Sequence, residues 1–273
     1  MAPRDEVKDR LKDAFVQAYP LQLEDKRMIR TGNSLPEVLQ PLQVYIVGYN
    51  GQTNGAGLLN YLKFFYDHGY IGAKNIDEAD LVVFTGGSDI NPKLYGEPAL
   101  SVTNFNAERD VREESIFWEA VSEGKPMVGI CRGGQFLNVM NGGKMWQHVN
   151  NHANGKHKAF DLRGKEMKEV EVTSTHHQMM IPPDDDKTKY EILVAASLAT
   201  EKLSHGREYT RKDSDDKLLS DPEVIWYPEM KCLCFQPHPE FGGIYGQSTA
   251  DLFWDIFDET INAEIFLENM GEE

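Results

Sequence analysis

The stretch PMVGICRGGQFLNVM, residues 126–140, decides how this chain is read. It opens as a short apolar run from Met127 to Ile130, passes through Cys131 and continues with helical spacing. Gly129, Gly133 and Gly134 crowd the cysteine, and glycines so placed mark a turn too tight for larger side chains. One reading is inert packing, because a free cysteine is among the most buried residue types. The other is a strand-turn-helix elbow that pushes the thiol clear of the sheet. It puts sulfur at a helix N-terminus, where free N–H groups and the dipole favour thiolate.

Working outward, QVYIVGY (43–49) and LVVF (81–84) are short apolar runs like the one before Cys131. Helical patterns separate them: LLNYLKFFYDHGY (58–70), and residues 106–124 with Ile116, Phe117, Ala120 and Val121 on one face. Apolar strands alternating with amphipathic helices predict an α/β fold with a parallel sheet covered on both faces. Ligands bind such a sheet at the carboxyl ends of its strands. EVEVTS (169–174), YEILVAAS (190–197), EVIWYP (223–228) and KCLCFQ (231–236) read instead as an antiparallel extension. STADLFWDIFDETINAEIFLEN (248–269) closes the chain as a helix. Two regions are expected: a polar N-terminal helical extension over 1–40 and a single α/β domain over 41–273.

Composition limits the function. Apolar residues make up 40% and charged residues 26%, as in soluble globular proteins, and no apolar run reaches the roughly 18 residues of a membrane span. The N-terminus, MAPRDEVKDRLKDAF, has no apolar core of a secretory signal, so a cytoplasmic location is expected. With 28 basic and 44 acidic residues the net charge is −16, which repels phosphate backbones and anionic lipid and argues against nucleic-acid and membrane partners. Cys131, Cys232 and Cys234 are too few and too unevenly spaced for a disulfide framework. Strand alternation puts Cys232 and Cys234 on one face, as packing residues.

A cysteine nucleophile needs a base and a group to orient that base. FQPHPEF (235–241) offers both, in His238 and Glu240. If this segment is extended, the two side chains project to the same side, and the carboxylate holds one ring nitrogen while the other faces sulfur. The competing reading is a surface His-Pro turn. An oxyanion needs preorganised donors. The Arg132 N–H is one candidate, and the N–H of Gly86 or Gly87 in FTGGSD (84–89) the other, unless that stretch is an ordinary turn.

G-I-C-R-G-G-Q with a downstream H-P-E resembles the class I glutamine amidotransferase superfamily, whose members carry G-x-C-x-G-x-Q and a Cys-His-Glu triad. TGGSDINPKLYGE, ERDVREESIFWEAVSEGKPMVGICRGGQFLNVMNGG and STHHQMMIPPD resemble its gamma-glutamyl-gamma-aminobutyrate hydrolase branch. The likeness covers residues 43–260, and MNGGKMWQHVNNHANGKHKAFD (140–161) is locally unusual within it. It implies a flavodoxin-like open, mostly parallel sheet with helices on both faces and the antiparallel extension. It also implies that Cys131 is the nucleophile, His238 the base and acid, and Glu240 the orienting carboxylate. Gln135, His176, His177 and Gln178 would line the glutamyl pocket, although the two histidines fit equally well as loop residues packed on the sheet.

The expected reaction is hydrolysis of a small-molecule gamma-glutamyl amide through a glutamyl thioester, with no metal and no organic cofactor. Two other functions keep the same residues: a glutaminase component supplying ammonia to a separate synthase, and a catalytically silent binding module. The amine side of the substrate and a homo-oligomeric state are left open by the sequence.

Overall fold

The computed structural model describes residues 41–48, 56–184, 187–211 and 219–265. The helical extension expected over 1–40 lies outside them. In chain order the strands are β1 Gln43–Ile46, β2 Ile71–Gly72, β3 Leu81–Phe84, β4 Met127–Ile130, β5 Lys144–Trp146, β6 His148–Val149 and β7 Gly155–Asp161. They continue with β8 Lys168–Ser174, β9 Met179–Ile181, β10 Glu191–Ala196, β11 Glu201–Ser204, β12 Arg207–Thr210, β13 Asp221–Tyr227 and β14 Cys232–Phe235. The helices are α1 Ala56–Tyr66, α2 Ala107–Ser122, α3 Arg132–Met140 and α4 Gly243–Glu259.

Nine strands form one sheet in the order β2-β1-β3-β4-β14-β13-β10-β7-β8. From β2 to β14 every pairing is parallel, and from β14 outward every pairing is antiparallel. Every residue of β3, β4 and β14 is buried, as a parallel sheet covered on both sides requires. Alternation divides them: Leu81, Val83, Val128, Ile130, Leu233 and Phe235 pack with Phe65 of α1 and Phe253 of α4. Val82, Phe84, Met127, Cys232 and Cys234 pack with Phe117 of α2 and Phe136 of α3. Helices therefore cover both faces, and the fold is the flavodoxin-like sheet with its antiparallel extension. Burial pushes the Cys232 thiol up to about 12 and Cys234 well above its ordinary value, so both remain neutral packing groups.

Several elements differ from the sequence reading: β2, β5, β6, β7, β9, β11 and β12 are strands it does not contain, and β14, read as part of the antiparallel extension, pairs parallel with β4 on its other side. β7, GKHKAFD, is a strand that its glycine and lysines conceal; its half-buried pattern comes from a position between β10 and β8. α4 begins at Gly243, ahead of Ser248, and its last turn breaks at Thr260, whose hydroxyl bonds the Ile256 carbonyl at 2.8 Å. Ile261 and Ile265 beyond the break are still buried in the same core. No helix among the described residues is long and apolar enough to cross a membrane.

Candidate active site

β4 runs into α3 through Cys131, which sits at φ 54° and ψ −112°, a conformation that strains any residue with a Cβ. Its N–H donates to the Phe235 carbonyl of neighbouring β14 at 2.8 Å, and its carbonyl accepts from Gln135 N–H at 3.1 Å, which opens the helix. Close packing enforces the bend. A Cβ on Gly129 would stand 2.3 Å from the Gly133 carbonyl oxygen, and one on Gly133 would stand 2.1 Å from that of Phe84. The glycines let strand, turn and helix approach backbone to backbone, which is the elbow expected from the sequence.

β14 delivers the histidine. His238 N–H donates to Thr173 Oγ1 of β8 at 2.7 Å, and that hydroxyl donates to the His238 carbonyl at 3.2 Å. The ring stacks on Phe241 with centroids 4.3 Å apart. Its Nδ1 lies 2.6 Å from Glu240 Oε1, and the ring lies beside the Cys131 side chain, both of them against Gly86. Burial works against the imidazolium, but the neighbouring Cys131 sulfur and the Glu240 carboxylate outweigh it and raise the His238 pKa to about 10. The linking segment is not extended as expected: Pro239–Phe241 is a 3-10 turn. The turn still carries Glu240 back to the ring. Residues from the ends of adjacent strands β4 and β14 thus meet at one point.

β3 contributes the third wall. The Arg109 guanidinium from α2 donates to the Gly86 carbonyl at 3.0 Å and the Thr85 carbonyl at 2.8 Å, while its Nε bonds Glu113 at 2.6 Å. A Cβ on Gly86 would lie 3.2 Å from His238 Cε1 and 3.6 Å from Cys131 Cβ, so this glycine leaves room for both side chains. The Gly86 N–H is occupied, donating to Tyr61 Oη at 3.0 Å. Gly87 and Arg132 line a cavity of about 190 Å³ together with Cys131. The first-turn N–H groups of a helix such as α3 have no intrahelical partner, which leaves the Arg132 amide available to a ligand there.

The Arg132 side chain turns away and is buried against Asp110 and Glu113 of α2, with its guanidinium 5.1 Å above the Phe136 ring. Burial pulls its pKa down to about 9, with the Asp110 charge opposing. Gln135 reaches the cavity wall, its amide donating to Gln236 Oε1 at 3.0 Å. His177 is partly open to solvent and pairs with Asp89 at 3.1 Å, which raises its pKa. Gln178 donates to the Gln147 carbonyl at 3.1 Å. His176 lines the same cavity, yet its ring is buried and points its Nε2 toward Glu223. The sequence reading missed Tyr61, Asp89 and Arg109. Their only signal is proximity in space: Tyr61 and Arg109 read as helix residues and Asp89 as part of a polar loop.

The sequence matches the Peptidase C26 family over residues 55–197, just over half of the chain, and the chain belongs to that family. It falls within the class I glutamine amidotransferase-like superfamily. It is 40% identical over 75 residues to the protein NtpR of Enterococcus hirae, an alignment spanning 27% of this chain and 31% of NtpR. It is 41% identical over 71 residues to the glutamine amidotransferase-like protein YvdE of Lactococcus lactis, spanning 26% and 30% of the two chains. The matches therefore span less than a third of these relatives. A Thermoplasma acidophilum protein provisionally described as a GMP synthase component superposes with a TM-score of 0.56, covering 85% of this chain and 98% of that one. At 15% identity that likeness speaks to the fold.

Proposed function

We propose that this protein is a cysteine-dependent hydrolase of gamma-glutamyl amides. The observation that carries the reading is the His238 imidazole, which lies beside Cys131 at a strained strand-helix elbow and is bonded to Glu240 at 2.6 Å. In this reading the Cys131 proton rests on His238, and sulfur attacks the gamma-carbonyl carbon. The oxyanion is met by the N–H groups of Arg132 and Gly87, with Gly86 committed to Tyr61. His238 then gives its proton to the departing amine, the C–N bond breaks and a glutamyl thioester remains. Water, losing a proton to the same imidazole, cleaves the thioester and releases glutamate, and the proton rests again on His238 beside the freed sulfur. Gln135, His177 and Gln178 on the cavity wall supply polar groups for the amino-acid end of the substrate, a role the charged ends of glutamate require.

Release of glutamate from a panel of gamma-glutamyl amides, free glutamine included, tests this directly. Wild-type protein is expected to turn over at least one, and Cys131→Ala none. Turnover by Cys131→Ala equal to wild type overturns the reading. A second reading, a glutaminase component serving a separate synthase, is favoured by a 28% identity over 134 residues to a carbamoyl phosphate synthase small chain of Oryza sativa. Glutaminase activity that rises only when a synthase co-purifies would select it.

A further inference from the structure

Next to the cysteine site, three histidines converge on one carboxylate. His152 follows β6, His157 lies in β7, His176 follows β8 and Glu223 lies in β13; the four donor atoms all fall within 4.8 Å of one another. His152 Nδ1 is 3.4 Å and His157 Nε2 3.1 Å from Glu223 Oε1, and His176 Nε2 is 3.9 Å from Oε2. All these side chains are buried, and none of the five inward-facing atoms has a well-directed hydrogen bond. The His157–Glu223 pair is close enough to bond but is not aligned for it.

The outward nitrogens explain why. His152 Nε2 faces Asp221 Oδ2 at 3.1 Å, His157 Nδ1 faces the Lys158 carbonyl at 3.1 Å, and His176 Nδ1 faces the Gln178 carbonyl at 2.8 Å. All three partners are acceptors, so each outward nitrogen carries the N–H. In a neutral imidazole the inward nitrogen then holds a lone pair. Three lone pairs and a carboxylate, all acceptors, face one another in a buried space, and such an arrangement is costly without a cation. A single proton would satisfy one nitrogen and leave two opposed to the carboxylate. Three imidazolium ions would repel one another at ring separations of 4.8 and 4.9 Å.

We propose that His152, His157, His176 and Glu223 form a closed four-ligand site for a borderline divalent transition metal of the zinc type. Imidazole and carboxylate suit Zn²⁺, and metal bonds of about 2.0–2.1 Å place tetrahedral ligand atoms about 3.3 Å apart; here the three imidazole nitrogens stand 3.1–3.9 Å from Glu223 oxygens and the four ligand atoms all lie within 4.8 Å of one another. The outward acceptors are the partners that orient metal-bound histidines and raise their basicity. Asp221 is itself anchored, accepting from Leu198 and Ala199 N–H at 2.7 and 2.9 Å and pairing with Lys202 Nζ at 2.5 Å. Four protein ligands leave no open position, so the metal is structural. It ties β7 and β13 to the loop bearing His176, His177 and Gln178, and so fixes the cavity wall beside Cys131. The unusual stretch 140–161 supplies two of the ligands. The site revises the expectation that no metal is needed, and it does not depend on the chemistry proposed for Cys131.

The full chain, purified after expression with added zinc, is expected to hold one zinc per molecule by elemental analysis, and Cys131→Ala to hold the same. Glu223→Gln and His157→Ala should weaken binding by about a hundredfold or more, since even outer partners of a metal ligand cost ten- to hundredfold. Stripping with a chelator should lower the unfolding midpoint, and zinc should restore it. Should the variants fail to fold, the wild type decides: refolded with Co²⁺, it should show the visible bands of a tetrahedral nitrogen and oxygen site. Folded protein that binds neither ion, or a Co²⁺ spectrum dominated by thiolate, overturns the proposal.

Discussion

His238 Nδ1 and Glu240 Oε1 lie 2.6 Å apart, and the same ring lies beside Cys131. The proton on this imidazole is therefore held more tightly in the folded protein, up to about 10, than in the unfolded chain at about 6.5. By linkage its stabilisation is complete below about pH 6.5 and is lost as pH rises to about 10. In the proposed reaction the imidazolium is also the acid that protonates the leaving amine, so kcat/KM should fall with an alkaline limb near pH 10. Glu240→Gln removes one of the groups that raise the pKa, and it should move that limb to lower pH. Rate profiles of the two proteins with superimposable alkaline limbs would contradict this.

Arg109 is a positioning residue. Its planar fork holds the carbonyls of Thr85 and Gly86, which sets where the Gly87 amide points. Arg109→Lys keeps the charge and loses the fork. The expected result is a fall in kcat of about ten- to hundredfold, with little change in KM, as displacement of a donor by a fraction of an ångström produces. A rise in KM at constant kcat would place Arg109 in substrate binding instead.

Replacing a helical glycine by alanine ordinarily stabilises by about 1 kcal/mol. Gly57, in the first turn of α1 with nothing within 4 Å of an added Cβ, should gain in the same direction but by less, about half of that. Gly133→Ala should reverse the sign and cost about 3 kcal/mol or more, because the Phe84 carbonyl is backbone and cannot swing aside. Chemical denaturation of both variants measures the contrast.

The backbone at Cys131 should be more comfortable without a side chain. Cys131→Gly is expected to be about 1 kcal/mol more stable than Cys131→Ala, since both lack the thiol but only alanine retains the strain of φ 54°. Equal stabilities would show that the elbow is unstrained.

Much of this is legible in the sequence because burial on both faces writes itself as continuous apolar runs. LVVF and MVGI read as strands of the parallel sheet, and CLCF is legible as a strand, although it is read into the antiparallel extension and its parallel pairing with β4 shows only in the fold. Cys131, His238 and Glu240 can be picked out because each sits in a short segment whose glycines or prolines fix the chain. β7 escapes because a half-buried strand of lysine and histidine has no apolar alternation to show. Tyr61 and Arg109 reach the site only through folding, and a helix residue carries no mark of what its tip will touch. His176 reads equally as a pocket residue and as a loop residue packed on the sheet, and Glu223, toward which its Nε2 points, lies 47 positions further along the chain, so that only the sheet brings them together.

The central claim is that sulfur of Cys131 becomes covalently acylated. Acid quenching during turnover of a slow gamma-glutamyl amide, followed by peptide mass analysis, tests it most directly. The account predicts a glutamyl group on the peptide carrying Cys131, absent when His238 is replaced by glutamine. Steady release of glutamate with the acyl group on another residue, or on none at any time point, would contradict it.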